Sequence, residues 1–573
     1  MKNVAVWMVS ALLLPVMGSC SYLHAGQEDT GAIFEYRDIY LPGTTKEEDE
    51  ELELNNVSED WGVWGHNLGN ILPEDASKQI YAHVQGGYNK DQYCFSSPKL
   101  YDYIVEYIQG EYLFSDTINF AILPNDNDIV CLCTECVSLG NKPGNASPAV
   151  MNMIEKLAKK FPEHQFFTSY YSTTSDIPEK RMPSNTGVLV SAMSYPLSAI
   201  ETPKEKEFMD LLRRWSEKTD NVYIWDYVNN FDDYFTPVPV FSVMQRRFRQ
   251  YRDAGVKGIF LNGSGHDYSS FGKLKKTVLA KLLLNPDQDW EELLRKYAKE
   301  YYPVAGDHIV DFIVAQEKMI EENGKRLPLY EGMNTAVTTY LPERQFVEFY
   351  NNIVADKKVA EGDEKADLKM LANAMALTML EIKRLNHDLE GTDHLKERLA
   401  RLPAMGIDSY NEGCWSISTY LKNYNFMEED AQATAGSNLL KGVTLHPRTA
   451  LDEDYQDISI LTDGQLGMPH NYHNGMLITS ADPAFSISIP RVPGMKKIKL
   501  WMVYNPGFKI GLPMEAYLTV DGLKRAAQEP PKPTGGSGHS FLEFDVPPSG
   551  DIILTLKKDP EVKTMAIDEI QAF

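Results

Sequence analysis

Basic residues are in short supply. The 573-residue chain carries 56 Lys and Arg against 81 Asp and Glu, a formal net charge of −25. With a pI near 5.0, the chain lacks the clustered cations that a phosphate backbone requires, so nucleic acid is excluded as the main partner. Long apolar runs are missing beyond the amino terminus, and nothing after residue 20 reads as a membrane-spanning helix. No GxGxxG follows a strand-like run, so a dinucleotide site has no support. No GxSxG occurs, so a serine esterase elbow has none either. No fixed period marks a solenoid or propeller. Cysteine is scarce, at six residues.

Hydrophobic residues at 43% and charged residues at 24% lie in the ordinary globular range and exclude wholesale disorder. Eight Trp, 31 Tyr and 23 Phe can build a sizeable core and still line a surface cleft. Lys2 precedes an apolar run from Val4 to Met17, laid out like a signal peptide and too short to span a bilayer. It ends in Val16-Met17-Gly18-Ser19-Cys20, small residues before a cysteine, which resembles a bacterial lipobox. The expectation is a signal peptide over 1–20 and a lipid on Cys20. That would anchor the protein in a Gram-negative cell envelope, with the outer membrane as the expected address.

From 33 to 285, β-rich runs alternate with helical stretches. Strands are expected at Phe34–Tyr40, Trp61–Asn67, Ile80–Gln85, Thr117–Leu123, Gln165–Tyr171, Gly187–Ala192, Val222–Val228 and Gly258–Asn262. Several are nearly continuous apolar runs, as in parallel strands buried on both faces. Eight such runs with helices between them predict a (β/α)8 TIM-type barrel, with a doubly wound sheet as the alternative. From 286 to 440 apolar residues recur at helical spacing and predict a helical bundle. From 441 to 573, alternating runs such as Phe485–Ile489 and Lys497–Met502 between Gly- and Pro-rich turns predict a β-sandwich.

Barrel chemistry sits at the carboxyl ends of strands. Those positions hold His66 and Asn67, then Asn125, Asp126, Asn127 and Asp128, then Tyr170 and Tyr171. They continue with Trp225 and Asp226, with Asn229 and Asn230, and with Asn262, His266 and Asp267. Aromatic faces, amides and carboxylates together suit a sugar cleft. Glycoside cleavage needs a proton donor and a second group that attacks or stabilises the oxocarbenium ion. Asp126 is the expected acid, with Asp128 or Asp226 orienting or stabilising. His66, Asn67, Asn125, Tyr170, Tyr171, Trp225 and Asn262 would bind substrate. Asp126 and Asp128 could equally be turn residues bonding their own backbone, and Asp226 a paired structural carboxylate.

Cys131-Leu132-Cys133-Thr134-Glu135-Cys136 holds three thiols, and Cys94 can supply a fourth. The set fits a structural zinc site or two disulfides. No cofactor is expected in catalysis. Cys414 is left over as a free thiol.

Several ordered segments resemble the bacterial envelope family catalogued as domain of unknown function 4838, part of which is classed as glycoside hydrolase family 163. They are Trp64-Gly65-His66-Asn67, Tyr93-Cys94-Phe95-Ser96-Ser97-Pro98, Pro124-Asn125-Asp126 with the cysteine cluster, and Ile224-Trp225-Asp226-Tyr227. Lys281-Leu282-Leu283-Leu284-Asn285-Pro286 and Glu300-Tyr301-Tyr302 extend the likeness over roughly residues 35 to 320. The resemblance implies a (β/α)8 barrel that hydrolyses glycans. It also implies endo-β-N-acetylglucosaminidase action on N-glycans, with the substrate's acetamido oxygen as nucleophile. Two departures stand out. Asn125 replaces one member of an adjacent acidic pair, and the last strand ends in Asn262-Gly263-Ser264-Gly265. They favour the alternative of a non-catalytic glycan-binding lipoprotein on a degenerate glycosidase barrel. Leu461-Thr462-Asp463-Gly464 and Ile567-Asp568-Glu569-Ile570 resemble galactose-binding-like sandwiches, with Trp501, Tyr472 and His473 as contact residues or, equally, core.

Overall fold

The computed structural model describes residues 32–573 apart from 85–86, 196, 454, 470–474 and 535. Cys20, Tyr472 and His473 lie outside the described residues. The described chain forms two units, Gly31–Leu329 with Ala336–Met375, and Ala376–Phe573 with Tyr330–Thr335.

The first unit contains strands β1 (Tyr36–Tyr40), β2 (Trp61–Val63), β3 (Tyr81–Val84), β4 (Gly87–Tyr93) and β5 (Asn119–Ala121). It continues with β6 (Gln165–Tyr170), β7 (Thr186–Ser191), β8 (Leu197–Ser198), β9 (Asn221–Tyr227) and β10 (Gly258–Asn262). Seven of these make one parallel sheet in the order β1-β10-β9-β7-β6-β5-β2. The sheet curls until its two edges face each other, and the rings of Tyr36 and Trp61 meet edge to face at 6.0 Å.

This corrects the expected eight-stranded barrel. The run Ile80–Gln85 does not enter the sheet; β3 pairs antiparallel with β4 as a separate hairpin. Only two residues separate those strands, whereas a parallel crossover needs a dozen or more. Among the described residues no backbone ladder joins β1 to β2. Residues 53–57 satisfy that edge instead. Asn55 N–H donates to the Arg37 carbonyl at 2.7 Å, and Arg37 N–H donates to Asn55 Oδ1 at 2.9 Å. Val57 N–H donates to Asp38 Oδ2 at 2.8 Å. An edge covered in this way offers no template to another chain.

Alternation sorts the side chains into two cores. Tyr36, Trp61, Ala121, Leu123, Phe167, Leu189 and Tyr223 fill the inside of the curl. Phe120, Ile122 and Phe166 face outward and pack with Ile104, Ile108, Met153 and Leu157 of helices Pro98–Glu111 and Ser147–Lys160. The first of these helices starts as its sequence predicts, with Ser97 Oγ accepting from Leu100 N–H ahead of Pro98. Helices Trp290–Tyr301, Gly306–Asn323 and Glu343–Val359 follow in this unit. No described helix is long and apolar enough to cross a membrane.

The second unit ends in two five-stranded sheets. One runs His446–Pro447, Ala484–Ile489, Ile552–Lys557, Glu515–Val520, Leu523–Gln528. The other contains Leu477–Thr479, Thr564–Ala572, Lys497–Tyr504 and Gly538–Asp545, with Ile510–Gly511 beside Thr564–Ala572. Phe485, Ile487, Leu518 and Leu554 of the first sheet share one core with Leu500, Leu542, Phe544 and Ile567 of the second.

Candidate functional site

The carboxyl ends of the parallel strands carry an aromatic floor. Trp64, just past β2, stacks on Trp225 of β9 at 5.0 Å and 11°. Phe260 of β10 meets both edge to face, at 4.7 and 4.9 Å. Gly65 makes this possible. Its φ is +57°, the left-handed region that glycine enters without steric cost. Tyr40, at the end of β1, lies 6.1 Å from Phe260 and 5.5 Å from His266. His66 packs against Tyr171 at 5.9 Å. Its Nδ1 donates to the Pro124 carbonyl at 2.5 Å, so Nε2 is the acceptor in the neutral ring. Trp64, Trp225, His66, Tyr171 and Asn262 all keep part of their surface exposed, as a ligand-contacting floor requires.

Two expected site residues point the wrong way. In β9, Tyr223 and Trp225 face inward, so Asp226 faces the helices. It is 0% exposed. Arg247 of helix Phe241–Asp253 donates to both its oxygens at 2.9 and 2.8 Å, and the Tyr251 hydroxyl donates at 2.5 Å. Asp226 is thus a buried structural carboxylate rather than an orienting group in the site. Tyr170 likewise packs outward on Trp215 at 6.2 Å, because Phe167 and Ser169 hold the inner positions of β6. The buried Asn229 and Asn230 follow β9 into a wholly buried stretch. Asn229 Oδ1 accepts from Lys275 Nζ at 3.0 Å. Burial pushes that lysine down to about 7.

Sequence reading missed two inner-face groups, Tyr227 and Asp38, and left Asp267 without a role. Tyr227 follows Trp225 on the same face of β9, and its hydroxyl lies 3.3 Å from Ser191 Oγ at the end of β7. Period two from Trp225 was the signal for it. Asp38, between Tyr36 and Tyr40 on β1, is pushed up to about 7 by burial. Asp267, half-buried in the loop after β10, is also raised by burial, against the nearby His266, which lowers it.

The turn after β5 holds Asn125–Asp128. Its amides turn toward the β3–β4 hairpin. Asn125 Nδ2 and Asn127 Nδ2 both donate to the Asp91 carbonyl, at 2.9 and 2.8 Å. Gln92 Nε2 donates to the Asn125 carbonyl at 3.0 Å and to Asn127 Oδ1 at 3.1 Å. Asp126 and Asp128 are exposed, and neither carboxylate has a hydrogen bond or ion pair among the described residues. Just beyond, the sulfurs of Cys94, Cys131, Cys133 and Cys136 gather within 4.8 Å of one another, with no disulfide between them. Hydrogen bonds from the Cys136 and Cys94 thiols hold Cys131 well below the usual thiol range, and sharing those bonds pushes Cys94 and Cys136 up.

Residues 33–314 match the model of the family described as Domain of unknown function (DUF4838). No curated protein matches the chain. Among solved structures the chain is similar to a family GH115 4-O-methyl-α-glucuronidase, BtGH115A, with specificity for decorated arabinogalactans. That likeness has 11% identity and a TM-score of 0.36, over 83% of this chain and 67% of that one. It is similar to CpGH84D at 12% identity and a TM-score of 0.32, over 64% of this chain and 68% of that one. A fucose binding module of Streptococcus pneumoniae matches at 16% identity and a TM-score of 0.18, over 24% of this chain and 94% of the module.

Proposed function

We propose that the DUF4838 region is a glycoside hydrolase whose cleft lies over the aromatic floor at the carboxyl ends of the parallel strands. The observation that carries the reading is the Trp64–Trp225 stack, a flat apolar face at the strand ends, framed by His66, Tyr171 and Asn262. Pyranose C–H faces stack on such indoles, and amides and imidazole nitrogens bind the hydroxyls. Trp225→Ala should weaken glycan retention about tenfold or more, since an aromatic contact contributes ~0.5–1.5 kcal/mol beyond its buried area. Unchanged retention on an affinity gel would move the cleft elsewhere.

Asp126 and Asp267 are the carboxylates in play, both on loops that leave strand ends. Burial keeps Asp267 protonated to higher pH than an ordinary aspartate, which suits a proton donor. Asp126 is exposed and unpaired among the described residues, which suits the second carboxylate, with Asp128 two residues on. N-glycans are the first substrates to try, on the strength of the family resemblance, followed by mucins and plant polysaccharides. The run ending at Cys20 supports a lipid-anchored envelope location, and the two-sheet unit suits a glycan-holding accessory. Products are read by mass spectrometry. Asp126→Asn and Asp267→Asn should each lower turnover about 100-fold or more, the usual contribution of an acid–base group. Full turnover in both variants would remove these assignments.

A second reading, a glycan-binding protein without turnover, is favoured by one observation. Of the three acidic candidates expected from sequence, one is locked in an ion pair and two stand in solvent. Retention with no product under any condition would select it.

A further inference from the structure

We propose that Cys94, Cys131, Cys133 and Cys136 hold one zinc ion in a closed four-thiolate site that locks the loop carrying Asp126 to the β3–β4 hairpin. The sulfurs are set for a cation at their centre. Cys94 Sγ lies 3.7 Å from both Cys133 Sγ and Cys136 Sγ. A regular tetrahedron with Zn–S bonds of 2.3 Å has edges of about 3.8 Å. The four sulfurs lie within 4.8 Å of one another, so none is left out of that shell.

The surroundings fit thiolates. His83 N–H donates to Cys131 Sγ at 3.2 Å, and Cys136 N–H donates to Cys133 Sγ at 3.4 Å. Hydrogen bonds to an ionised acceptor are the stronger kind, and such donors fix ligand orientation around metals. Ser96 Oγ lies 3.3, 3.1 and 3.5 Å from the sulfurs of Cys94, Cys136 and Cys133. With all four positions taken by protein sulfur, no site remains for water, so the ion is structural.

Its placement explains what it holds. Cys94 immediately follows β4, and Cys131–Cys136, separated by two residues from the Asn125–Asp128 turn, opens helix Thr134–Leu139. Among the described residues the hairpin has no strand partner in the main sheet. It reaches the turn through Asp91 and Gln92, and through the Leu132 N–H bond to the His83 carbonyl at 2.9 Å. The ion would be the fastener of that contact. The metal assignment stands on the sulfurs alone; only its effect on turnover rests on the glycan reading.

The full chain, purified without chelator or immobilised metal, should contain one zinc per chain by elemental analysis. After unfolding in chelator without reductant, all four cysteines should take an alkylating label, read by peptide mass spectrometry. Cys133→Ser should lose most of the zinc, and chelation of the wild type should open a protease cut within residues 122–140. Zinc-free protein with the four cysteines unlabelled would establish two disulfides and overturn the proposal. One equivalent of iron would overturn the choice of metal. Zinc present at one per chain, with no glycan turned over or retained, would leave the site standing and remove the function proposed above.

Discussion

Arg247→Ala should destabilise the first unit by about 3–5 kcal/mol, the usual penalty for removing one partner of a buried ion pair. The Arg247 and Asp226 side chains are 0% and 1% exposed, and the Tyr251 hydroxyl donates into the same carboxylate. Deleting the guanidinium strands a carboxylate between strand and helix with the Tyr251 hydroxyl and the Tyr227 N–H as donors but no counter-charge. Asp226→Asn removes the opposite charge and should cost a comparable amount, because the guanidinium is then buried without its counter-charge. Replacing both at once, Asp226→Leu with Arg247→Met, should recover most of the loss, since apolar residues of similar size often match a buried pair. Urea unfolding of the four proteins reads these terms as a double-mutant cycle. The same set separates structure from chemistry. A catalytic Asp226 would make Asp226→Asn fold normally and lose turnover; the ion pair predicts lost stability, with turnover retained at temperatures where the variant stays folded.

That pair also shows where sequence reading stopped. The run Val222–Val228 announces a buried strand, but when both faces are apolar the phase of the alternation is not visible, and phase decides whether Trp225 or Asp226 meets the cleft. Arg247 and Tyr251 settle it, and they lie 21 and 25 residues further on. Tyr170 failed for the same reason, since only Phe167 and Trp215 in place show which side of β6 is inside. The parallel sheet was readable because seven of the eight expected runs are long and apolar enough to need burial on both faces. The eighth run, Ile80–Gln85, is followed by Gly87-Tyr88-Asn89-Lys90-Asp91-Gln92-Tyr93, whose continuous polar stretch Asn89–Gln92 does not suit a sheet buried on both faces. Cysteine spacing grouped the four sulfurs that the fold gathers within 4.8 Å, but spacing in sequence cannot choose between metal and disulfide. The wall of Tyr40, Phe260 and Trp64 comes from two strands and the loop after a third, so no local pattern could reveal it.

The inner wall of the sheet should be most stable under mildly acidic conditions, and Asp38 is the reason. Burial raises its carboxyl from 3.8 to about 7, against the Val57 N–H, the Tyr36 hydroxyl and the positive charge of Lys276, which lower it. Asp60 adds a smaller upward push. The folded state therefore holds a proton at Asp38 across pH values where the unfolded chain has released it. In that window the unfolded state binds fewer protons, so unfolding free energy falls as pH rises. The contribution is fully present below about pH 4 and is lost as pH climbs through about 7. The slope is ~1.4 kcal/mol per pH unit, and the whole loss is on the order of 4 kcal/mol. Glu317, raised to about 7 by burial in the same unit, slopes the same way, while Lys275, lowered to about 7, slopes oppositely above that pH. Comparing Asp38→Asn with wild type cancels both. The variant should be no more stable than wild type near pH 4 and should overtake it steadily toward pH 8, as followed by urea unfolding and amide exchange of β1. A difference that stays constant across that range would mean Asp38 is already ionised in the fold. The Val57 N–H and Lys276 would then outweigh burial at the seam where β1 and β2 fail to pair.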